Sequence, residues 1–403
     1  MKRIGLFCAR IAEAAERGRP AKLTDDGRTN EDMLRLCKEI MVELQARQAD
    51  VWDNDIQPAL QRCGLRFVRY HELTPDERTH AETYFRDEIF PVLTPLAVDP
   101  GHRFPFISTL SESLGVRLSS PGHAEQRFAR VKIPDVHARF VTLPAETHPD
   151  QSVPPEARDH RLLPLEELLT HNLDELFPGL KIEAVLPFRV TRSAVVGQDE
   201  DIIDDLLEHV ESELRERRFA DVVRLETGPD PDPRLLEFVT NALSLDPHDH
   251  YPRRGPLEWL DLFQIASMNP PVQPEDVQLR YRPWKAVPPP DLSGDKPDVF
   301  ARIRERDLLI HHPYESFNQS VELFIKQAAR DPDVLAIKQT IYRTSPDSPF
   351  VRAMVRAAER GKQVASMVEL RARFDEHKNV RIARQHERAG DHDAYGVHGH
   401  KTP

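Results

Sequence analysis

Through residues 1–95 apolar side chains recur at helical spacing. Cys37, Ile40, Met41 and Leu44 fall on one face of a helix predicted over about 32–50. The stretch ELTPDERTHAETYFRDEIF starts a second helix. Thr74 is its N-cap, Pro75 takes the first helical position, and Glu77 stands where a capping box needs a carboxylate. The prolines of PVLTPLAVDPGHRFPF then break the pattern. Over residues 96–290 the spacing is mixed. SLGVRL, RFARVKI, RFVTL, EAVLPFRVTR and DVVRLE read as strands, and LPLEELLTHNLDELF as helix. Ile202, Ile203, Leu206, Leu207, Val210 and Leu214 draw one apolar stripe on an acidic helix. The segment 144–161 has the composition of a surface loop, and 284–298 that of a linker.

Residues 299–403 follow a third pattern. DVLAIKQTIY, KQVASMVEL and HDAYGV read as strands, with helices SPFVRAMVRAAERG and NVRIARQHERAG between them. That alternation requires parallel pairing through helical crossovers. Ser348 caps the first helix, a second cap is expected at Ser316, and Gly361 and Gly390 close the two crossover helices. The predicted fold class is multidomain α+β: a helical N-terminal domain over 1–95, an α+β middle or head domain over 96–290, and an α/β domain over 291–403.

A chain of 403 residues exceeds what one core usually serves. With 39% hydrophobic and 30% charged residues it suits a folded globular protein. The formal net charge of -12 marks no overall nucleic-acid or anionic-membrane binder, so an anion site has to be a local cluster. Cys8, Cys37 and Cys63 form no C-x-x-C pair and predict reduced thiols in a cytoplasmic protein. No apolar run approaches the ~20 residues that span a bilayer. Gly-rich phosphate loops, G-x-S-x-G elbows and kinase catalytic loops are absent from the sequence.

In open α/β sheets ligands bind beyond the carboxyl ends of the strands. There the first strand is followed by Arg343, the second by Arg371 and Arg373, and the third by His400 and Lys401. The helix behind Ser348 adds the positive end of its dipole. Guanidinium forks match phosphate geometry and cannot ligate a metal cation. The convergence predicts an oligophosphate or nucleotide-phosphate site. Loop ion pairs compete with that reading: Arg343 with Asp347, and Arg373 with Asp375 or Glu376. His311 and His312 either face this edge or fill a turn. Asp391, His392, Asp393, His398 and His400 offer metal-ligand types, as does PHDHY at 247–251, but neither spacing matches a closed structural site.

Long stretches of the chain resemble one family. FPVLTPLAVDPGHRFPFIS, PFRVTRSA, RRFADVVRLE, LLIHHPYESFNQSVELFIKQAARDPDVLAIKQTIYRTSPDSP and GKQVASMVELRARFDE are similar to the long bacterial polyphosphate kinases, whose C-terminal half holds two phospholipase-D-like domains. The resemblance implies a cytoplasmic homo-oligomer that passes the terminal phosphate of ATP reversibly to polyphosphate through a phosphohistidine. ADP is the other product, Mg2+ the cofactor, and nucleic acid no partner. It assigns Arg343 and Arg373 to the magnesium–phosphate site, with the metal held through phosphate. Arg371, Lys401, His311 and His312 are possible supporting groups.

The first four places of the family's G-L-K-x-H-A-K pattern are occupied by Gly399, His400, Lys401 and Thr402, and Pro403 stands where its nucleophilic His belongs. His400 lies three residues early and lacks the following Lys of the H-x-K pair, since Thr402 stands there. The family's opening helix, with an ATP-contacting Asn, also has no counterpart. The resemblance therefore implies an internal piece of a longer protein, inactive alone. One inserted base turning Thr-His into Thr-Pro is a sufficient cause. The alternatives are a non-catalytic module that partners a full-length kinase, and a phospholipase-D-like hydrolase.

Overall fold

The computed structural model describes residues 27–98, 104–120, 126–154, 158–193, 206–216, 219–268, 281, 284–341, 344–345, 347–370, 376–389 and 392–394. The chain divides into two compact units, one drawn from residues 1–196 and 217–279, the other from 197–216 and 280–403.

The first unit opens with helix α1 (Asn30–Val51), capped by Thr29 in a capping box with Asp32. Its core-facing row is Met41, Gln45, Ala49 and Trp52, all buried, whereas Ile40 and Leu44 are exposed. This corrects the predicted face. A polar residue sits in the buried row because the Gln45 amide reaches the carboxylate of Glu226 at 3.4 Å. Strand β1 (Leu65–Phe67) follows, then helix α2 (Pro75–Tyr84), which starts with the Thr74–Glu77 capping box as expected. Glu77 has a second task. While one oxygen accepts from Thr74 N (2.9 Å), the carboxylate also takes the fork of buried Arg161, at 2.6 and 3.2 Å. The cap is thereby tied to a strand 84 residues away.

Strands β2 (Leu96–Val98), β3 (Glu112–Ser119), β4 (Gln126–Lys132), β5 (Phe140–Thr142) and β6 (His160–Pro164) come next. They are followed by helix α3 (Leu165–His171) and the long strand β7 (Lys181–Arg192). The chain then leaves for the second unit, where helix α4 (Leu206–Glu216) packs, and returns for strand β8 (Val222–Thr227), helix α5 (Pro233–Ala242) and strand β9 (His250–Pro252). The main sheet has the order β2-β4-β3-β7-β8-β9, and β1-β6-β5 form a second, three-stranded sheet. The pattern strands at 113–118, 127–133 and 183–192 fall in β3, β4 and β7. The short strands β1, β2, β6 and β9 were not predicted, since three to five residues carry too little alternation to register.

Glu226 of β8 is the charge around which this unit closes. It is 1% exposed and receives the guanidinium groups of Arg189, Arg224 and Arg253, each itself buried, at 2.7–2.9 Å. Burial alone would raise the carboxyl, and the three cations reverse it, holding Glu226 below the ordinary range. Glu112 of β3 shows the opposite balance. Burial outweighs the Arg139 guanidinium 3.4 Å away and pushes the carboxyl up to about 7.

Removing the Glu226 charge takes the carboxylate from buried Arg224 and Arg253, while Arg189 keeps Glu258 at 2.7 Å. Glu226→Gln should therefore destabilise the first unit by about 3–5 kcal/mol in urea titration. The two carboxyls also set opposite pH slopes. A depressed carboxyl contributes stability above its unfolded value and loses it as pH falls through the folded value, so Glu226 makes the unit acid-labile below about pH 4. A raised carboxyl favours the folded state while protonated. Stability should thus fall as pH rises from about 4.5 through 7, by on the order of 3 kcal/mol for Glu112. Glu112→Gln should flatten that slope in thermal melts taken from pH 5 to 8.

Candidate functional site

The second unit contributes helices α6 (Val299–Glu305), α7 (Val321–Ala328), α8 (Pro349–Glu359) and α9 (Glu376–Ala389), with strands β10 (Ala336–Ile341), β11 (Gln363–Val368) and β12 (His392–Ala394). The sheet order is β10-β11-β12 and both pairings are parallel, as the alternation predicted. Consecutive parallel strands joined by right-handed crossovers put their helices on one face. The burial follows: Ile337, Ile341, Val364, Ser366 and Val368 are covered, while Ala336, Lys338 and Thr340 on the other face are exposed.

Register decides where the chemistry can gather. Ala336 pairs with Gln363 and Ile341 with Val368, so the first two strands end side by side. Glu369 N carries the ladder one step further, donating to Ile341 O at 3.0 Å. Buried Asn379 of α9 donates to Glu369 O at 2.6 Å and pins the chain directly after β11. Helix α8 starts beyond the end of β10. Ser348 Oγ accepts from Phe350 N at 3.2 Å, Pro349 takes the first position, and no acidic residue stands in the first turn. Arg352 donates to Asp347 O in the same turn. Gly361 closes the helix at φ +77°, as its position predicted.

His311 and His312 sit in the turn that precedes α7. The His312 ring lies 5.1 Å from Phe317, whose ring lies 5.4 Å from Phe350 in the first turn of α8. His312 is therefore linked to that helix start through one intervening ring. His311 packs against Tyr314 at 4.9 Å, and Tyr314 against Trp284 at 5.5 Å. The stretch read as a linker is fastened here: Val287 N donates to Tyr314 O and Ser316 N to Val287 O. Ser316 does not cap α7. Its hydroxyl accepts from Gln319 N (3.3 Å) in a turn, and the helix begins at Val321. The extra turn arises because Ser320 Oγ bonds back to Ser316 O at 2.7 Å.

Arg343, Arg371, Arg373, His400, Lys401 and Pro403 lie outside the described residues, as do Gly390, Asp391 and His398; the side chains of His392 and Asp393 are likewise undescribed. Among the described residues no three His, Cys, Asp or Glu side chains gather as a metal site, PHDHY included. His250 instead meets the Thr227 hydroxyl at 2.9 Å. None of the described helices is long and apolar enough to cross a membrane.

The family model for the polyphosphate kinase middle domain matches residues 76–265, and that for the polyphosphate kinase C-terminal domain 1 matches 298–403. The chain belongs to the polyphosphate kinase family. It is 45% identical over 380 residues to a polyphosphate kinase of Mycobacterium tuberculosis, covering 94% of this chain and 50% of that protein. Against the polyphosphate kinase of Thermosynechococcus vestitus it is 41% identical over 402 residues, covering 94% and 53%. The chain thus spans about half the length of the curated relatives it matches. The crystal structure of polyphosphate kinase from Porphyromonas gingivalis shares the fold, with a TM-score of 0.65 at 23% identity over 98% of this chain and 58% of that one.

Two framework contacts escaped the sequence reading. Asn379 has no local pattern to announce its bond to Glu369. Phe317 and Phe350, far apart in the chain, meet only after the strands pair. The cap is testable. Ser348→Ala should lower the second unit's stability by about 1 kcal/mol in urea titration, and Ser348→Asp, which keeps a capping oxygen, should restore it.

Proposed function

We propose that the carboxyl edge of the β10-β11-β12 sheet grips condensed phosphate, and that the chain contributes this grip to reversible transfer of the ATP terminal phosphate onto polyphosphate. The supporting observation is the side-by-side ending of β10 and β11. Arg343 follows Ile341 closely in sequence, and Arg371 and Arg373 follow Leu370. The capped N-terminus of α8 stands at the same edge and supplies N–H donors.

Phosphoryl transfer asks the protein mainly for positioning and for charge opposite the phosphate oxygens. Arginine meets both needs, since it stays ionised and offers paired donors. It does not ligate Mg2+, so in this reading the metal arrives on the phosphate oxygens and the arginines hold the complex through them. Lys401 and His312 are further cations or donors for the same edge. The acceptor histidine of the family has Pro403 in its place. A prolyl nitrogen in a peptide bond is no nucleophile, so this chain does not take up phosphate at that position. Within the family reading it belongs to a cytoplasmic, homo-oligomeric enzyme that handles ATP, ADP and polyphosphate.

Titration calorimetry with tripolyphosphate tests the grip. Arg343→Ala and Arg373→Ala should each weaken binding by about tenfold or more, the usual loss for a charge-assisted hydrogen bond. Affinities unchanged in both variants would remove the site. With radiolabelled ATP, the purified chain should form neither phosphoprotein nor polyphosphate, and strong synthesis would refute the role given to Pro403.

A further inference from the structure

Helix α4 lies inside the stretch matched by the middle-domain model, yet it packs in the second unit. Its stripe was legible in sequence, and its destination is the finding. Leu207, Val210 and Leu214 are all buried, in one cluster with Val380, Ile382 and Ala383 of α9 and Val351 of α8. The same cluster holds Ile341, Val368 and Leu370. Those are the last residues of β10 and β11 and the residue directly before Arg371. On the flank of this contact, Arg384 of α9 places Nε 3.2 Å from one Glu211 oxygen and Nη2 3.4 Å from the other. Arg384 is also held by Glu387 at 3.1 Å, and Arg215 stands 3.9 Å from Glu211.

Sequence neighbours of α4 build the main sheet of the first unit: β7 ends at Arg192 before it, and β8 begins at Val222 after it. The chain therefore crosses from one unit to the other and back to deliver a single helix. Ile202 and Ile203 of the stripe lie outside the described residues and the Leu206 side chain is undescribed, while Leu207, Val210 and Leu214 all go into the second unit's core. We infer that α4 is a positioning element for the phosphate edge: it is supplied by the middle domain's stretch of sequence and completes the core that fixes the ends of β10 and β11, the first turn of α8 and the middle of α9. This rests on the phosphate reading of that edge. Glu211, Arg384 and Val210 are its positioning residues, and none of them touches phosphate.

Hydrogen exchange and tripolyphosphate titration on the full 403-residue chain separate the two ideas. In the unmodified protein, amides of 206–216 and 376–389 should share slow exchange. Val210→Asp should speed exchange in both segments, leave β3, β4 and β7 protected, and weaken tripolyphosphate binding by about tenfold. The partly exposed ion pair gives a milder probe that leaves folding intact. Glu211→Arg and Arg384→Glu should each weaken binding by roughly two- to fivefold, and the double exchange should recover most of the loss.

Fast exchange of 206–216 in the unmodified chain would overturn the inference. So would a Val210→Asp protein that binds tripolyphosphate within twofold of normal, or single charge reversals without effect on affinity. If the unmodified chain binds no tripolyphosphate at all, the phosphate reading fails, and the positioning role built on it fails with it. Linked exchange of the two segments would then still establish α4 as part of the second unit's core.

Discussion

Parallel pairing of β10 with β11 is the constraint from which the candidate site follows. A parallel neighbour cannot be reached by a tight turn, so every connection crosses back, and every loop at one end of the sheet follows a strand's carboxyl terminus. The register that sets Ile341 against Val368 converts this topology into a location. The segment that carries Arg343, the segment that carries Arg371 and Arg373, and one helix start must leave from the same rim. No residue there needs to be close to another in sequence. Strand order adds a second consequence. Because β10, β11 and β12 run consecutively, their crossover helices share one face, and α4 joins that face rather than opening a new layer.

The first unit solves a different problem, the burial of charge. Glu226 is kept ionised at 1% exposure by three buried guanidiniums, and two of these, Arg224 and Arg253, have it as their carboxylate partner. Each oxygen of the carboxylate is used: one accepts from Arg189, the other from Arg224, Arg253 and Gln45. Such a knot is poor evidence for extra stability, because apolar residues of similar size do as well. What it supplies is register. It binds α1, β7, β8 and the chain after β9 at fixed positions. Glu77 does the same on a smaller scale, serving both as a helix cap and as the partner of Arg161.

Local chemistry was the legible part of this sequence. The Thr74–Glu77 box, the Ser348 cap and the Gly361 stop each depend on residues a few places apart, and all are where the sequence put them. The strand–helix alternation after residue 330 was legible for a related reason, since its period is set by the elements themselves. Failures came where a distant partner overruled the local pattern. Ile40 and Leu44 share a face with Cys37 but not with the core, because buried Gln45 turned the helix toward Glu226. Ser316 has the composition of a cap, yet the Ser320 hydroxyl competes for its carbonyl. At the candidate site, the parallel pairing of β10 and β11 was legible from the strand–helix alternation. The aromatic link from His312 through Phe317 to Phe350 was not, since nothing in the sequence spacing joins positions 317 and 350.

The placement of α4 shows why a domain read from sequence order and a unit read from packing need not coincide. Sequence continuity fixes only where a helix is tethered, and burial fixes where it rests. Three of the ten buried residues in the cluster that holds the ends of β10 and β11 come from this helix. At ~1.5–3 kcal/mol for each fully buried aliphatic side chain, that share is on the order of 5 kcal/mol. A whole domain is held by about 5–15 kcal/mol net, so losing burial of that size would be felt throughout the second unit's core. The ion pair between Glu211 and Arg384 adds little energy by comparison, at about 1 kcal/mol or less for a partly exposed pair. Its role is orientation: with the apolar stripe setting depth, the forked contact sets the rotation of α4 against α9.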